Sequence, residues 1–427
     1  MTDQQIRDLG PAFAAYLRPY HAFCNQDRTA PHLVAYCRAL LADTPRKTAE
    51  PNALASGTAV RTLQKFLTTT RWDHLALRDE FQRRTGRTLA ELPDADRLGT
   101  VGVIDETSCV KKGDKTPGVQ RQYLGCVGKV ENGIVTVHLA AARGPFRTLL
   151  DADLFLPRGW DADRERCRRA GIPDEIGHRP KWLIALAQYG RATANGVAFD
   201  WLTFDEGYGG KPAFVSVLAM FGQKFAGEVP KSFAVDARGG SSRRADAVLP
   251  AATAKRGKRY RLKRETQPDQ VWRAAGKAVR VNGLAMLLVV AWNEATDEVK
   301  YFLAAGTASV RRVLRVGFRR WTVEHLFRVA KREVGLMDYE GRKYVGLLRH
   351  LILGVVVLGF VSAQTDRLRG EKCGSDAGAG LRGVEPALPG VVGSPSGRVG
   401  AGTGGGSDSV PSEAERRREE VPQKAAA

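Results

Sequence analysis

Three acidic residues, far apart in the chain, stand where carboxylates can act in concert: Asp105, Asp205 and Glu324. Asp105 closes the apolar run Thr100-Val101-Gly102-Val103-Ile104 and precedes Glu106-Thr107-Ser108. Asp205 closes Phe199-Asp200-Trp201-Leu202-Thr203-Phe204 and precedes Glu206-Gly207-Tyr208-Gly209. Glu324 lies in the basic stretch from Arg319 to Lys331. Hard carboxylate oxygens are the ligands Mg²⁺ prefers. Two divalent ions about 3.5–4 Å apart can activate the attacking oxygen and stabilise the leaving oxygen at a phosphodiester. Three converging carboxylates therefore suit metal-assisted displacement at phosphorus, with Mg²⁺ (two ions) as the expected cofactor and Mn²⁺ as its substitute.

Taken singly, each acid has a plainer reading. Asp105 alone reads as a turn cap. Glu106 is a rival ligand, but a strand alternates its faces, so Asp105 and Glu106 should not both point at one site. The pairing matters more: two strand-end acids in one sheet approach each other, and like charges that close require a cation. On a helix, Arg320, Glu324, Arg328 and Lys331 share one face, beside an apolar stripe of Val323, Phe327, Ala330 and Val334. A solvated face with ion pairs would mix its signs more evenly. One Glu among three cations fits a metal ligand beside phosphate contacts. The seven histidines show no ligand spacing, Gly207-Tyr208-Gly209-Gly210 lacks the Lys-Ser/Thr of a phosphate loop, and Ser108 and Cys109 have no His/Asp relay.

The elements that must position these residues follow from periodicity. Residues 1–95 read as a helical N-terminal domain and a DNA-contact candidate, with apolar spacings of three and four in Leu9 to Cys24, His32 to Leu41 and Val60 to Arg84. From Leu98 the period changes. Thr100 to Asp105 reads as a buried strand. Arg121 to Lys129 and Ile134 to Ala141 read as a hairpin about Glu131-Asn132-Gly133. A helix over Pro180 to Asn195, a strand over Phe199 to Asp205 and a helix from Pro212 to Phe221 follow. This order predicts an α/β fold with a mixed sheet, the RNase H-like arrangement, as the first part of a core over 96–230. Residues 231–306 read as a β-rich insertion, and 307–368 as the core's C-terminal helices. Residues 369–427, with 13 glycines, read as a disordered tail with a short helix around Glu413 to Glu420.

Composition points to the partner. Lys and Arg outnumber Asp and Glu by 66 to 46, a net charge of +20. From Asp366 onward nine basic residues balance nine acidic ones, so the excess belongs to residues 1–365. Such an excess favours a polyanion, because cations placed on phosphates release condensed counterions. The six cysteines form no C-x-x-C pair, which fits a reducing cytoplasm and leaves a structural zinc site unsupported. The first residues lack the regions of a signal peptide. The longest apolar run, Leu351 to Ala363, is too short to span a bilayer and reads as a buried helix. No membrane association is expected.

These residues together resemble the DDE transposases of bacterial insertion sequences, in the branch whose third acid sits in a Tyr-Arg-Glu-Lys signature helix. Asp105-Glu106-Thr107, followed by Lys111-Lys112-Gly113, is similar to the first-acid motif. Arg121-Gln122-Tyr123 and Gly125-Cys126-Val127-Gly128-Lys129-Val130 resemble the next block. Asp205-Glu206-Gly207-Tyr208-Gly209 is similar to the second-acid motif, and Arg320, Glu324 and Lys331 match the signature's Arg, Glu and Lys. The likeness covers roughly residues 40–365. It implies an RNase H-like core with a β insertion and a catalytic, metal-binding triad of Asp105, Asp205 and Glu324. It further implies phosphate contacts from Arg320, Arg328, Lys331, Lys111 and Lys112, DNA as partner (element ends and target), a homodimer in the active complex, and a place in the bacterial cytoplasm at the nucleoid. The signature's Tyr is Gly317 here. The rival readings are a catalytically impaired relic acting only as a DNA-binding protein, and a nuclease that cuts without joining.

Overall fold

The computed structural model describes residues 3–236, 241–263 and 268–373. The N-terminal segment is helical: α1 (Asp3–Leu17), α2 (Ala30–Leu40), α3 (Ala49–Ser56), α4 (Val60–Thr68) and α5 (His74–Glu91). Asp73 starts α5 by accepting from the Leu75 and Ala76 amides, which satisfies donors that have no partner within the helix.

Four strands follow: β1 (Val101–Val110), β2 (Gln120–Leu124), β3 (Lys129–Arg143) and β4 (Phe146–Leu154). Then come α6 (Arg158–Asp161), α7 (Arg164–Ala170), α8 (Lys181–Ala194), β5 (Trp201–Phe204), α9 (Glu206–Gly209), α10 (Pro212–Met220) and β6 (Phe225–Val229). The next segment holds β7 (Ala234–Asp236), β8 (Ser242–Arg244), α11 (Ala245–Val248), α12 (Ala251–Lys255), β9 (Lys258–Leu262), β10 (Gln270–Val281), β11 (Leu284–Asn293) and β12 (Val299–Ala305). The last described helices are α13 (Val310–Gly317), α14 (Trp321–Arg332) and α15 (Tyr344–Cys373).

All the strands among the described residues join one mixed sheet in the order β2-β3-β1-β5-β6-β12-β11-β10-β7-β8, with β4 also on β3 and β9 also on β10. β1 and β2 run antiparallel to β3, while β5 lies parallel to β1 and β6 parallel to β5. This is the α/β, RNase H-like order that the sequence predicts. The strands of 231–306 are continuous with it, because β12 pairs antiparallel with β6.

The sheet buries both faces, and side-chain alternation decides which residue goes where. Val101 and Val103 of β1, Val289 of β11 and Phe302 of β12 enter a core shared with the N-terminal helices and α13–α15. Ile104, Val290 and Leu303, one residue on, enter a second core with α8 and α10. Apolar runs, rather than alternating ones, are what a sheet covered on both sides requires.

Two local expectations are corrected. The Asn-Gly pair does not turn the chain. The β2–β3 turn lies earlier, where the Leu124 carbonyl accepts from the Val127 and Gly128 amides and Gly128 supplies φ +65°. Asn132 and Gly133 lie inside β3, where a Cβ at Gly133 would come within 2.3 Å of the Cys109 carbonyl oxygen. The Asn132 amide group meanwhile donates to Lys111 and Gly113 carbonyls. Nor does β1 stop at Asp105: it continues to Val110 against β3, and it is the parallel partner β5 that ends at Phe204.

α15 extends well beyond the apolar run that marks it. It is long and apolar enough to cross a membrane by length and composition, and most of it is buried inside the protein. Arg349 ties it down, donating to the Phe66, Leu67 and Trp72 carbonyls. The expected helix at Glu413 to Glu420 and the tail from residue 374 lie outside the described residues.

Candidate active site

Register places the first two acids. Val103 pairs with Thr203 and Ile104 with Phe204, so Asp105 and Asp205 are the next positions on neighbouring parallel strands, spaced about 4.8 Å apart. Alternation gives Asp105 the face of Val103, and Asp205 the face of Thr203. That face is the one under α13, since the Thr203 hydroxyl donates to the Gly317 carbonyl.

Asp105 is mostly buried, its side chain 13% exposed. One carboxylate oxygen accepts from the Glu106 amide at 2.7 Å, the other from Arg320 Nη1 at 3.1 Å. Burial pushes its carboxyl up to about 7; Arg320 opposes the rise and Asp205 adds to it. Asp205 is the N-cap of α9, its Oδ1 accepting from the Gly207 and Tyr208 amides at 2.9 and 3.3 Å. The glycines after it allow close packing. A Cβ on Gly209 would come within 1.9 Å of the Glu228 carbonyl oxygen on β6, so α9 lies flush on the sheet and fixes Asp205.

The third acid arrives from α14. Val323, Leu326, Phe327 and Ala330 are its buried face, with Phe327 edge-on to the His138 ring. This leaves Glu324 on the open side, its side chain 59% exposed, with Oε1 3.8 Å from Arg320 Nη1. Arg320 thus stands between Asp105 and Glu324, itself only 18% exposed. Burial works against its charge, but Asp105, Asp205 and Glu324 together hold the guanidinium protonated more firmly than usual. The structure brings Asp105 and Asp205 side by side and reaches Glu324 through Arg320. Among the described residues, no three His, Cys, Asp or Glu side chains are gathered closely enough to hold a metal ion. The donor chemistry still fits a hard divalent ion: two carboxylates share one sheet face, with a third on the adjoining helix.

The other predicted site residues fall into two groups. Arg328 and Lys112 are exposed, with Arg328 donating to His325 Nδ1. Lys111 and Lys331 are turned to the protein's own backbone. Lys111 Nζ donates to the Met337 and Tyr339 carbonyls at 2.8 and 2.6 Å. Lys331 Nζ donates to the Ser108 carbonyl at 3.2 Å, and burial lowers its pKa. Together they tie β1 to α14 and the loop after it.

Sequence reasoning missed Lys181 and Tyr208 behind the site. Lys181 Nζ lies 2.6 Å from Glu106 Oε1, on the face of the sheet opposite Asp105. Burial first, then Glu106 and the two aspartates, push the Tyr208 hydroxyl well above its usual range. The alternation that separates Asp105 from Glu106 implied a partner for Glu106; nothing local to Lys181 marked it as that partner.

Gly317 has a physical reason. A Cβ there would come within 2.6 Å of the Phe302 ring, so α13 lies against β12 as only glycine permits.

A family model described as DDE superfamily endonuclease matches residues 19–295, well over half of the chain. The protein belongs to the DDE superfamily of endonucleases. The matched span contains Asp105 and Asp205 and ends before Glu324. A probable transposase for insertion sequence element IS701 of Microchaete diplosiphon is 33% identical over 158 residues, 36% of this chain and 37% of that relative. The match thus spans little more than a third of the relative's length.

Proposed function

We propose that this chain is a DNA transposase that cuts at the ends of an insertion sequence and joins them to target DNA. The observation that carries this reading is the juxtaposition of Asp105 and Asp205 on one sheet face, with Glu324 beside them across a single arginine. Family membership and the likeness to the IS701 transposase support it.

Asp105, Asp205 and Glu324 would hold divalent ions, Mg²⁺ with Mn²⁺ as substitute, which supply charge to activate the attacking oxygen and stabilise the leaving one. The chain's own residues do the rest. α9 and the Glu106 amide orient the two aspartates. Arg320, Arg328 and Lys112 meet phosphates near the scissile bond, where a planar guanidinium matches the anion better than an ammonium. Lys111 and Lys331 hold α14 against β1 and add positive potential from beneath. The first displacement frees a 3′-hydroxyl, and the same residues present it to target DNA in a second displacement. Residues 1–95, with Arg61 and Lys65 exposed on α4, add a DNA-contacting domain. A homodimer in the bacterial cytoplasm completes the proposal.

The test is cleavage of a plasmid carrying the inverted repeats that flank the gene, with divalent metal present. Asp105→Ala, Asp205→Ala and Glu324→Ala should each abolish cutting, a loss of at least about 10³-fold, while gel-shift affinity for the same DNA changes little. Full cleavage by any of the three removes that residue from the triad. Cutting by the wild type without strand joining would replace transposase by endonuclease alone.

A further inference from the structure

We propose that Arg320 is the resident counter-ion of the acidic pair, that it competes with divalent metal for Asp105, and that a DNA phosphate draws it away, so that metal and DNA bind cooperatively. This rests on the triad reading above and adds to it an order of assembly.

The competition follows from the contacts. Both oxygens of Asp105 are engaged, one by the Glu106 amide and one by Arg320. A divalent ion on Asp105 would have to share that carboxylate with Arg320, and two cations on one carboxylate repel each other. The arginine is mostly shielded from solvent, where salt screens a charge pair poorly. Arg320 therefore opposes metal entry until it has another anion.

The geometry also gives the arginine somewhere to go. Its backbone belongs to a 3₁₀ turn, Phe318–Arg320, that is pinned just ahead of Arg320. Thr203 holds the Gly317 carbonyl, and Arg319 bonds the Gly144 carbonyl and pairs with Asp96 at 3.2 Å. Only the side chain need move. Its second partner, Glu324, is mostly exposed, so the way from Asp105 to Glu324 is also the way to solvent, where a phosphate could take over the guanidinium. A ligand that stabilises the outward position favours metal. By linkage, metal must then favour that ligand by the same factor.

The test measures Mn²⁺ binding by electron paramagnetic resonance, with no turnover, on the full chain. Wild type, Arg320→Gln and Arg320→Gln/Asp105→Asn are each titrated with and without a short duplex cut from the flanking inverted repeat. The duplex should tighten Mn²⁺ binding to wild type about tenfold or more, within the usual range of coupling between sites. Arg320→Gln alone should bind Mn²⁺ as tightly as DNA-bound wild type, with little further gain from the duplex, and the double variant should lose the site. Should Arg320→Gln fail to fold, Arg320→Met serves instead: it keeps an apolar stem but carries no charge to set against Asp105, so it should bind Mn²⁺ more tightly than wild type without DNA. Equal, Asp105-dependent affinities in wild type and variant, or an equal gain from DNA in both, overturn the counter-ion role and leave the triad standing. Mn²⁺ binding that persists undiminished in the double variant removes the triad and this proposal with it.

Discussion

Gly317 stands where a related signature carries tyrosine, and its neighbour Phe302 explains why this chain cannot. With the ring 2.6 Å from the position a Cβ would take, Gly317→Ala should destabilise the fold by about 1–3 kcal/mol, the usual penalty for overpacking a close contact. Urea denaturation measures this; an unchanged midpoint would mean that the Phe302 ring simply moves aside. In the sequence the residue reads only as a departure from the signature, because a clash with a side chain on β12 has no local mark. Lys111 shows the same limit. Beside Lys112 it reads as a phosphate contact, yet it donates to two backbone carbonyls more than two hundred residues away. The side-by-side placement of Asp105 and Asp205 was legible because acids that close apolar runs are conspicuous. Lys181 was not, because its role exists only once α8 has crossed the sheet.

At the scale of elements, α15 holds the N-terminal helices to the sheet. Arg349 spans three carbonyls on α4 and the turn before α5, and its guanidinium lies 4.6 Å from the centre of the Trp72 ring. Arg349→Ala removes a buried donor from all three carbonyls, leaving Phe66 only the Trp72 indole N–H, and should lower stability by about 1–3 kcal/mol. Protease nicking of the segment before α5 should rise with it; unchanged melting and nicking would show that water replaces the guanidinium. The sequence marked this helix by its apolar run, and nothing in that run showed it continuing to Cys373. The Asn-Gly pair failed as a hairpin signal for a related reason. Its glycine serves close approach between strands rather than positive φ, and only the cross-strand register with Cys109 reveals that.

At the scale of the whole molecule, buried histidines make the fold sensitive to acid. His350 lies wholly inside, its Nε2 donating to the Gly335 carbonyl and its Nδ1 accepting from the Tyr36 hydroxyl. That arrangement needs the neutral ring, and burial pushes its pKa down to about 4. The unfolded chain takes up the proton near pH 6.5. Stability from this ring is therefore complete above pH 6.5 and falls by about 1.4 kcal/mol per pH unit as the pH drops toward 4. The stability gap between wild type and His350→Gln should narrow over that window; a gap that stays constant from pH 7 to 4.5 contradicts it. The fold class was legible because strand order follows from hydrophobic period. The continuity of the sheet through 231–306 was not, because pairing between β6 and β12 joins segments seventy residues apart.

The brevity of β5 limits how the chain can change length. Four residues set where Asp205 emerges. One residue inserted just ahead of Trp201 would turn that carboxylate to the opposite side of the sheet, and two would return it to the right side but displace it by about 7 Å. The stretch between β6 and β12 adds its strands beyond β12 instead, so a change of length there leaves the spacing around Trp201 as it is.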